Sequence, residues 1–472
     1  MRVFMLGWEF PPHISGGLGT ACYGLTKGLV ENGVQVFFVL PTAVPVGGPS
    51  HVQIRTPASL GAEGAEYVES IEDAGGGAGE APYLMPQVQV VQVDAALQPY
   101  APPGRVLQAA GSVRSIADKP RRSRQVKPAA APPPAAPPPA APPPAGSSKR
   151  ISSGLITAGG GAHYQGDLMG QVNRYARQAV ELARREEFDL IHAHDWMTYA
   201  AGMAVKAATG KPLVVHVHST EFDRSGESVN QQVYDIERAG MHAADRVVCV
   251  SYLTRSLCIT RYGVPPEKVD VVYNAVEIPN GQFPLRPIRQ NEKIVLFLGR
   301  VTMQKGPEYF LRAARKVVDR FKSVRFVMAG SGDMITQCIR QAAELHLGRY
   351  VTFTGFLRGL DVDRIFAMAD LYVMPSVSEP FGIAPLEALS RNVPAIISKQ
   401  SGVSEVLRHV LKVDFWDVDE IANKILAVLR HPPLQRTLRH HGAIELRKMS
   451  WKDSAARLKA IYHTVCNPAG RA

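Results

Sequence analysis

The sequence lacks an uninterrupted apolar segment of the length that a bilayer requires. A membrane-spanning helix needs about 20 consecutive apolar residues, and no run in this chain approaches that length. The amino terminus, MRVFMLGWEF, has one basic residue and a short apolar run, which is typical of a first strand and not of a signal peptide. We therefore expect no transmembrane segment and a cytoplasmic location.

Cysteine is scarce, with five residues in 472, and no two of them form a C-x-x-C pair. Scattered thiols are typical of a reduced cytosolic protein and argue against a disulfide framework. The dinucleotide-binding fingerprint G-x-G-x-x-G is also absent from the first strand-to-helix turn, GWEFPPHISGGLGT.

Positive charge is unevenly distributed along the chain. The net charge is +11, but residues 119–150 carry seven basic and no acidic residues, which leaves +4 for the remainder. An excess of that size suits small anionic ligands as well as it suits nucleic acid. We expect no nucleic-acid partner.

A proline- and alanine-rich segment, AAAPPPAAPPPAAPPPAG, occupies residues 129–146. Proline fixes φ and removes backbone donors, so this run can form neither a helix nor a sheet ladder. We predict a disordered insertion at about 101–162 within the first domain. A flexible spacer is the favoured interpretation, and a P-x-x-P ligand for a partner is the alternative.

Short apolar runs alternate with helical patterns on both sides of this insertion. Strands with little polar alternation, separated by helices, indicate parallel sheets covered on both faces. Strands are predicted at Arg2–Leu6, Val34–Leu40, Leu190–His192, Leu213–His218, Arg246–Ser251 and Val269–Tyr273, and then at Ile294–Gly299, Val324–Gly330, Val351–Phe356, Leu371–Ser376 and Pro394–Lys399.

A Pro-, Gly- and Asn-containing linker at 277–293 separates the two series. The fold class is therefore α/β, with two doubly wound Rossmann-like domains facing a cleft. We predict domains at 1–276 and 277–450. Ligands of such sheets bind beyond the carboxyl ends of the strands.

Three features point to a phosphate ligand in the cleft. Gly16 and Gly17 allow close backbone approach at the start of a helix, whose amino end favours anions. Arg300 and Lys305 follow the first strand of the second domain, where two cations could clamp a diphosphate. The plainer alternatives are a tight strand-to-helix connection and two solvated surface charges.

The stretch SEPFGIAPLEA places Glu379 and Glu387 eight positions apart. A helix is predicted to begin near Gly382, so that the amides of Phe381, Gly382 and Ile383 face the cleft. Glu379 could accept hydrogen bonds from ligand hydroxyls, and Glu387 could bind a second polyol. Spacing alone also fits a turn and a solvated helix face.

The strand ends HAHDW and HVHS place His192, His194, His216 and His218 in H-x-H pairs, which can bind metal because alternate residues share a face. A metallohydrolase is therefore an alternative from another class. We favour a polar or catalytic His194 with the other histidines in packing roles, and no metal.

Together these residues resemble the retaining GT-B glycosyltransferases of the group-1 family, which includes bacterial and archaeal glycogen synthases. PSVSEPFGIAPLEAL is similar to the family's E-x7-E motif, HAHDW to its histidine-containing strand end, and YNAVE to its N-G-[IV]-D segment. Glycogen synthases carry lysine in the K-x-G-G-L of their first loop, where this chain has Ile14. The resemblance covers nearly all of the chain except about residues 41–165.

The resemblance implies a hexosyltransferase that uses an ADP-, UDP- or GDP-sugar as substrate, a glucan or other sugar acceptor, and no cofactor. It assigns Glu379 to the donor sugar, Glu387 to the ribose, and Arg300 and Lys305 to the diphosphate. His194 would contact the reacting sugar and Asn274 would lie at the donor site. It also implies that a helix at 451–472 crosses back to the first domain. Glycogen synthesis, transfer to a lipid, polysaccharide or metabolite acceptor, and a GT-B epimerase or metal-dependent hydrolase remain alternatives.

Overall fold

The computed structural model describes residues 1–11, 16–41, 53–55, 88–92, 168–278 and 292–467. The predicted insertion at about 101–162, the position of Ile14 and most of the predicted linker lie outside these residues. All of the described residues belong to one compact unit.

The first sheet has eight strands in the order β3-β4-β2-β1-β5-β6-β7-β8, and every neighbouring pair is parallel. Its central strands are buried because helices cover both faces. The strands are β1 (Arg2–Leu6), β2 (Gln35–Leu40), β3 (Gln53–Arg55), β4 (Val88–Gln92), β5 (Leu190–His194), β6 (Leu213–Val217), β7 (Arg246–Cys249) and β8 (Val269–Val271).

The second sheet has six parallel strands in the order β11-β10-β9-β12-β13-β14. Since all strands run the same way, their carboxyl ends form one edge. The strands are β9 (Lys293–Leu298), β10 (Val324–Ala329), β11 (Val351–Gly355), β12 (Leu371–Met374), β13 (Ala395–Ser398) and β14 (Leu411–Val413).

Fourteen α-helices accompany these strands within the described residues. They are α1 (Gly17–Glu31), α2 (Leu168–Ala183), α3 (Trp196–Thr209), α4 (Glu221–Ser225), α5 (Gln231–Ala243), α6 (Tyr252–Thr260), α7 (Pro307–Arg320), α8 (Ile335–Glu344), α9 (Leu360–Met368), α10 (Ala384–Ser390), α11 (Val403–Val406), α12 (Val418–Arg430), α13 (Pro432–Leu446) and α14 (Trp451–Cys466).

The predicted α/β class with two doubly wound parallel sheets is confirmed. Every predicted strand is present, although most end one or more residues earlier than predicted, because the last residues leave the ladder to build loops at the carboxyl edge. Three strands, β3, β4 and β14, were not predicted. The boundaries at 276/277 and 450/451 stay predictions.

Helix α14 packs against α1, which flanks the first sheet. Trp451, Leu458 and Tyr462 are buried in the same core as residues of β1 and α1. The helices approach so closely that a Cβ at Gly28 would lie 2.3 Å from the carbonyl oxygen of Trp451. Glycine is therefore required at this crossing. None of the described helices is long and apolar enough to cross a membrane.

We predict that Gly28→Ala destabilises the protein. Alanine is favoured over glycine in a helix by about 1 kcal/mol, but overpacking against a backbone carbonyl costs about 1–3 kcal/mol and should outweigh that gain. Urea unfolding measures the difference. Gly17→Ala is the control, since a Cβ there meets nothing within 4 Å. Equal stability of Gly28→Ala and the parent would contradict the close packing of α1 on α14.

Candidate active site

Two loops at the carboxyl edge of the second sheet lie against each other. One follows β9 and contains Arg300 and a 3-10 turn at Met303–Lys305. The other, residues 375–383, follows β12 and is called here the 375–383 turn. Gly306 has φ 60°, and a Cβ there would lie 2.2 Å from the carbonyl oxygen of Pro375. The close approach of the two loops therefore depends on glycine at this position.

Lys305 and Glu379 meet where these loops touch. The Lys305 ammonium lies 2.5 Å from Glu379 Oε2, and Ser376 Oγ donates to the same carboxylate oxygen at 3.2 Å. Glu379 is 6% exposed, while Lys305 is half-buried. A carboxylate this buried requires paired charge or hydrogen bonds, and here it has both.

The backbone around Glu379 is also fixed. Its amide donates to the Gln400 carbonyl at 2.9 Å, and its own carbonyl accepts from the Gly402 amide at 2.9 Å. On the other side, the Val377 amide donates to the Gln304 carbonyl at 2.9 Å. The carboxylate is thus positioned by loops that follow β9, β12 and β13.

Arg300 lies on the same loop as Lys305, and its side chain is half-buried. Its Nη2 donates a hydrogen bond to Gln304 Oε1 at 3.3 Å. Arg300 and Lys305 therefore belong to one loop that borders the carboxylate. The structure brings Lys305 into direct contact with Glu379 and places Arg300 on the loop of Lys305.

The 375–383 turn leads into α10. The predicted helix start near Gly382 is slightly early, because Gly382 adopts φ 99° and α10 begins at Ala384. Within the described part of the chain, the amides of Phe381, Gly382 and Ile383 donate no hydrogen bond. Three adjacent N–H groups are therefore available to an anionic or hydroxyl-bearing ligand.

Glu387 lies in the first turn of α10 and is half-buried. Desolvation raises the pKa of its carboxyl above the usual range, and the charge of Arg391 opposes that rise. Its carboxylate accepts no hydrogen bond among the residues that the structure describes. Glu379 and Glu387 therefore differ, since one is paired to a cation and the other remains open to a ligand.

Four histidines form a stack on the first sheet, in which three rings are buried and His218 is half-buried. The ring centroids of His192 and His194 are 4.3 Å apart, as are those of His216 and His218, and the two pairs face each other across β5 and β6. His194 Nδ1 lies 2.9 Å from His218 Nε2, and His192 Nδ1 contacts the Tyr462 hydroxyl of α14. Burial lowers the pKa of all four imidazoles, that of His218 to about 3. The stack is therefore neutral.

Two sets of potential metal ligands occur in this stack. Nitrogen or sulfur atoms of Cys22, His194 and His218, and of His192, His194 and His216, lie within 4.8 Å of one another. However, the rings of His192, His194 and His216 are stacked with interplanar angles of 14–26°. A histidine nitrogen binds a metal ion that lies in the plane of its ring. Because these three ring planes are nearly parallel, one ion cannot lie in all three planes, and this set does not provide tetrahedral coordination.

His194 does not face open space. It is fully buried, and its other contacts include the Thr198 hydroxyl, which donates to the His194 carbonyl at 2.8 Å. Next to it, Asp195 has φ 58° and accepts hydrogen bonds from the amides of His218 and Ser219. These hydrogen bonds connect the ends of β5 and β6 at Asp195, whose backbone conformation is strained.

The first-sheet glycines lie at the amino end of α1. Gly16 precedes the helix and Gly17 begins it, and a Cβ at either position would meet nothing within 4 Å. Ile383 packs both against the core that contains α1 and against the core that contains α10. Ile383 of the 375–383 turn thus contacts the cores of both sheets.

Comparisons with known proteins agree with this arrangement. Residues 282–443 match the family of glycosyl transferases group 1, and residues 137–278 match Glycosyltransferase Family 4. An uncharacterised glycosyltransferase of Methanocaldococcus jannaschii is 30% identical over 305 residues, covering 61% of this chain and 78% of that protein. The chain belongs to the group-1 glycosyltransferase family.

Other relatives of this glycosyltransferase are more distant. The UDP-Gal:alpha-D-GlcNAc-diphosphoundecaprenol alpha-1,3-galactosyltransferase of Escherichia coli is 25% identical, covering 52% of this chain and 68% of the relative. The D-inositol 3-phosphate glycosyltransferase 1 of Catenulispora acidiphila is 26% identical, covering 59% and 72%.

Solved structures show the GT-B fold of this glycosyltransferase. Sucrose-phosphate synthase from Thermosynechococcus elongatus aligns with a TM-score of 0.64 at 17% identity over 98% of each chain. Anabaena HepE, in complex with UDP and glucose, aligns with a TM-score of 0.61 at 15% identity, covering 98% of this chain and 100% of that one.

Asn274 has a different environment from the other predicted site residues. It lines a groove of about 680 Å³ together with Tyr273, Glu405, Glu445 and Arg457. Arg300, Lys305, Glu379 and Glu387 are not among the residues that line this groove. The assignment of Asn274 to the donor site stays a prediction.

Sequence reasoning also missed some contacts. Ser376 was not singled out, although its hydroxyl contacts Glu379, and His216 was not expected to lie in one stack with His192 and His194. Only the H-x-H alternation on two successive strands could have indicated the stack.

We predict that the histidine stack makes the enzyme acid-labile. The unfolded chain takes up protons below about pH 6.5, whereas the buried imidazoles do not, so each histidine lowers stability by up to about 1.4 kcal/mol per pH unit as the pH falls. Asp195, whose pKa burial raises to about 7, contributes with the opposite sign.

Comparison of variants isolates the histidine contribution. Between about pH 6 and pH 5, the slope of the unfolding free energy against pH should be smaller in His216→Val. The decrease should correspond to roughly one bound proton. His440→Gln, at an exposed position, serves as the control. An unchanged slope in His216→Val would contradict a neutral, buried His216. Urea titrations at each pH provide the measurement.

Proposed function

We propose that this glycosyltransferase transfers a hexose, with glucose as the first candidate, from a nucleoside diphosphate sugar to an acceptor hydroxyl with retention of configuration. The observation that carries the proposal is the contact of Lys305 with Glu379, beside Arg300 and beside three amides that donate no hydrogen bond among the described residues. A cation, a buried carboxylate and available N–H groups thus lie at one sheet edge.

The diphosphate of the donor would bind Arg300 and Lys305. A diphosphate carries more negative charge than a single carboxylate and would therefore compete for Lys305, while Glu379 retains Ser376 as a hydrogen-bond donor. When the diphosphate takes over Lys305, the carboxylate of Glu379 becomes free to accept hydrogen bonds from the donor sugar. The Lys305–Glu379 ion pair would thus be exchanged for two ligand contacts.

The two glutamates would then hold different parts of the donor. Glu379, on the 375–383 turn, orients the sugar. Glu387, farther along α10 with an open carboxylate, binds the ribose hydroxyls. The amides of Phe381, Gly382 and Ile383 contact sugar or phosphate oxygens.

In the transfer step, the bond between the anomeric carbon and the diphosphate oxygen breaks. The acceptor oxygen bonds to the anomeric carbon on the same face of the sugar from which the diphosphate leaves. The acceptor proton passes to the departing diphosphate oxygen, so atoms and charge balance without an enzyme nucleophile. The developing negative charge would be stabilised by Arg300 and Lys305 and by the amides near Gly16 and Gly17. The proposal therefore requires no cofactor and no divalent metal.

His194 enters this proposal on the family resemblance alone. Its burial supports a neutral imidazole that shapes the floor beneath the reacting sugar. Five free cysteines support the proposed cytoplasmic location.

The acceptor divides the proposal into two candidates. The motif resemblance supports a glucan acceptor. The names of the two more distant relatives, one acting on a lipid diphosphate-linked sugar and one on inositol 3-phosphate, support a lipid-linked or small-metabolite acceptor. The UDP and glucose in the HepE complex support a UDP-sugar as the first donor to test.

We predict that the purified enzyme releases the nucleoside diphosphate from one of UDP-, ADP- or GDP-glucose, and that chelator does not reduce the rate. Each donor is incubated with glycogen, inositol phosphate and a lipid-linked sugar, and both nucleotide and glycosylated product are quantified. Sugar transfer with a chelator present would support the proposal. Chelator-sensitive hydrolysis without transfer would contradict it and favour the hydrolase alternative.

We predict that Lys305→Ala and Glu379→Ala each lower kcat by about 10²–10³-fold, as expected for removal of one group that stabilises transition-state charge or geometry. Lys316→Ala is the matched control, because Lys316 forms an exposed ion pair with Asp419. Full activity in Lys305→Ala or Glu379→Ala, with the fold retained in thermal melts, would refute the site assignment.

A further inference from the structure

The 375–383 turn is held by helices that flank the first sheet as well as by elements of the second sheet. Ser378 Oγ donates a hydrogen bond of 2.6 Å to Asp223 Oδ1, and Asp223 belongs to α4 of the first sheet. Ser378 immediately precedes Glu379. The residue that contacts Lys305 is therefore one peptide away from a hydrogen bond to the opposite sheet.

Asp223 is built to make this contact. Its side chain is buried, and Oδ2 accepts from the amide and the hydroxyl of Thr220 at 2.7 and 2.8 Å. This capping box fixes the carboxylate. The remaining oxygen, Oδ1, is then directed at Ser378, so the carboxylate caps its own helix and bridges to the second sheet.

Helix α4 is itself anchored in the first sheet. Arg224 pairs with Glu221 at 3.1 Å and also with Glu237 of α5, and all three side chains are buried. Glu221 additionally accepts from the Asn230 amide at 3.0 Å. Buried charges with every partner present are costly to break, since loss of one partner leaves an uncompensated charge. α4 therefore provides a rigid support for the bond to Ser378.

The same helix contacts the loop of Lys305. A Cβ at Gly226, which ends α4, would lie 3.8 Å from Met303 Cε, in the 3-10 turn that contains Lys305. α4 thus touches both loops that form the Lys305–Glu379 contact.

A second contact holds the other side of the 375–383 turn. Glu405 of α11 accepts hydrogen bonds from the amides of Tyr252 and Leu253 at 2.9 and 2.8 Å, and so caps α6 of the first sheet. Thr254 of α6 also donates to the carbonyl of Pro380 at 3.4 Å. The turn therefore lies between α4 and α6, two helices of the opposite sheet.

We propose that Asp223 is a positioning residue, which sets the position of Glu379 through its hydrogen bond with Ser378. A residue beside the first sheet thereby completes the donor-sugar site of the second sheet. This inference rests on the proposed function. It implies that a donor bound to the second sheet alone is held by its nucleotide but not correctly oriented at its sugar.

The decisive variant is Ser378→Ala. It removes the bridging hydroxyl but leaves the capping box of α4 intact, which Asp223→Asn would disturb. We expect kcat to fall about 10- to 100-fold, the range for loss of a hydrogen bond to a charged group. Inhibition by the nucleoside diphosphate product should change little, because that product has no sugar for Glu379 to orient. UDP-glucose with UDP and ADP-glucose with ADP are the probe pairs.

Two companion variants separate positioning from a loss of structure. Ser378→Thr restores a hydroxyl and should recover most of the rate. Thr437→Ala removes an exposed hydroxyl that donates to the Pro433 carbonyl within α13, and should retain full kcat. Hydrogen exchange provides a readout that needs no substrate, since Ser378→Ala should speed exchange in residues 375–383 and leave α10 unchanged.

The outcomes distinguish this inference from the function on which it rests. Unchanged kcat and unchanged exchange in Ser378→Ala, with Glu379→Ala inactive, would overturn the positioning role and leave the function standing. Equal weakening of nucleotide inhibition and kcat would also overturn it, because the defect would then be structural. Full activity of Glu379→Ala would instead refute the proposed site.

Discussion

The candidate site depends on one ion pair, between Lys305 and the nearly buried carboxylate of Glu379. Burying a carboxylate is costly unless it is paired and hydrogen-bonded. The loops around this pair meet that requirement, with Ser376 as a second donor, Gly306 permitting the close approach, and Gln400 fixing the backbone. The two charges neutralise each other. In the proposed function, a diphosphate would replace the carboxylate as the partner of Lys305.

The division of work between the sheets follows from parallel topology. All strands of a parallel sheet end at one edge, so the loops with functional side chains collect there. The second sheet supplies the cations, both glutamates and the available amides. The first sheet supplies glycines at the start of α1, the neutral histidine stack and the helices α4 and α6, which hold the 375–383 turn. The position of the 375–383 turn therefore depends on both sheets.

Prediction from sequence succeeded where the signal was local. The alternation of apolar runs and helical patterns predicted two doubly wound sheets, and strand ends located Arg300, Lys305 and Glu379 at a common edge. It was less accurate where tertiary contacts override local preference. Strands were extended too far into loops such as the one after β6, since His218 continues the apolar pattern but leaves the ladder to contact His194. The three-residue strand β14 is too short for any periodic signal.

The sequence by itself determined the fold class, the family resemblance and the residue types at the strand ends, because periodicity and short motifs are written in neighbouring residues. Only the tertiary structure decided that Lys305 pairs with Glu379, that Asn274 lines a groove with Glu405 and that the rings of His192, His194 and His216 are nearly parallel. It alone connected Ser378 with Asp223, which are 155 positions apart. Contacts of that kind depend on how two sheets pack, and no local pattern in the chain records the side-chain directions that packing selects.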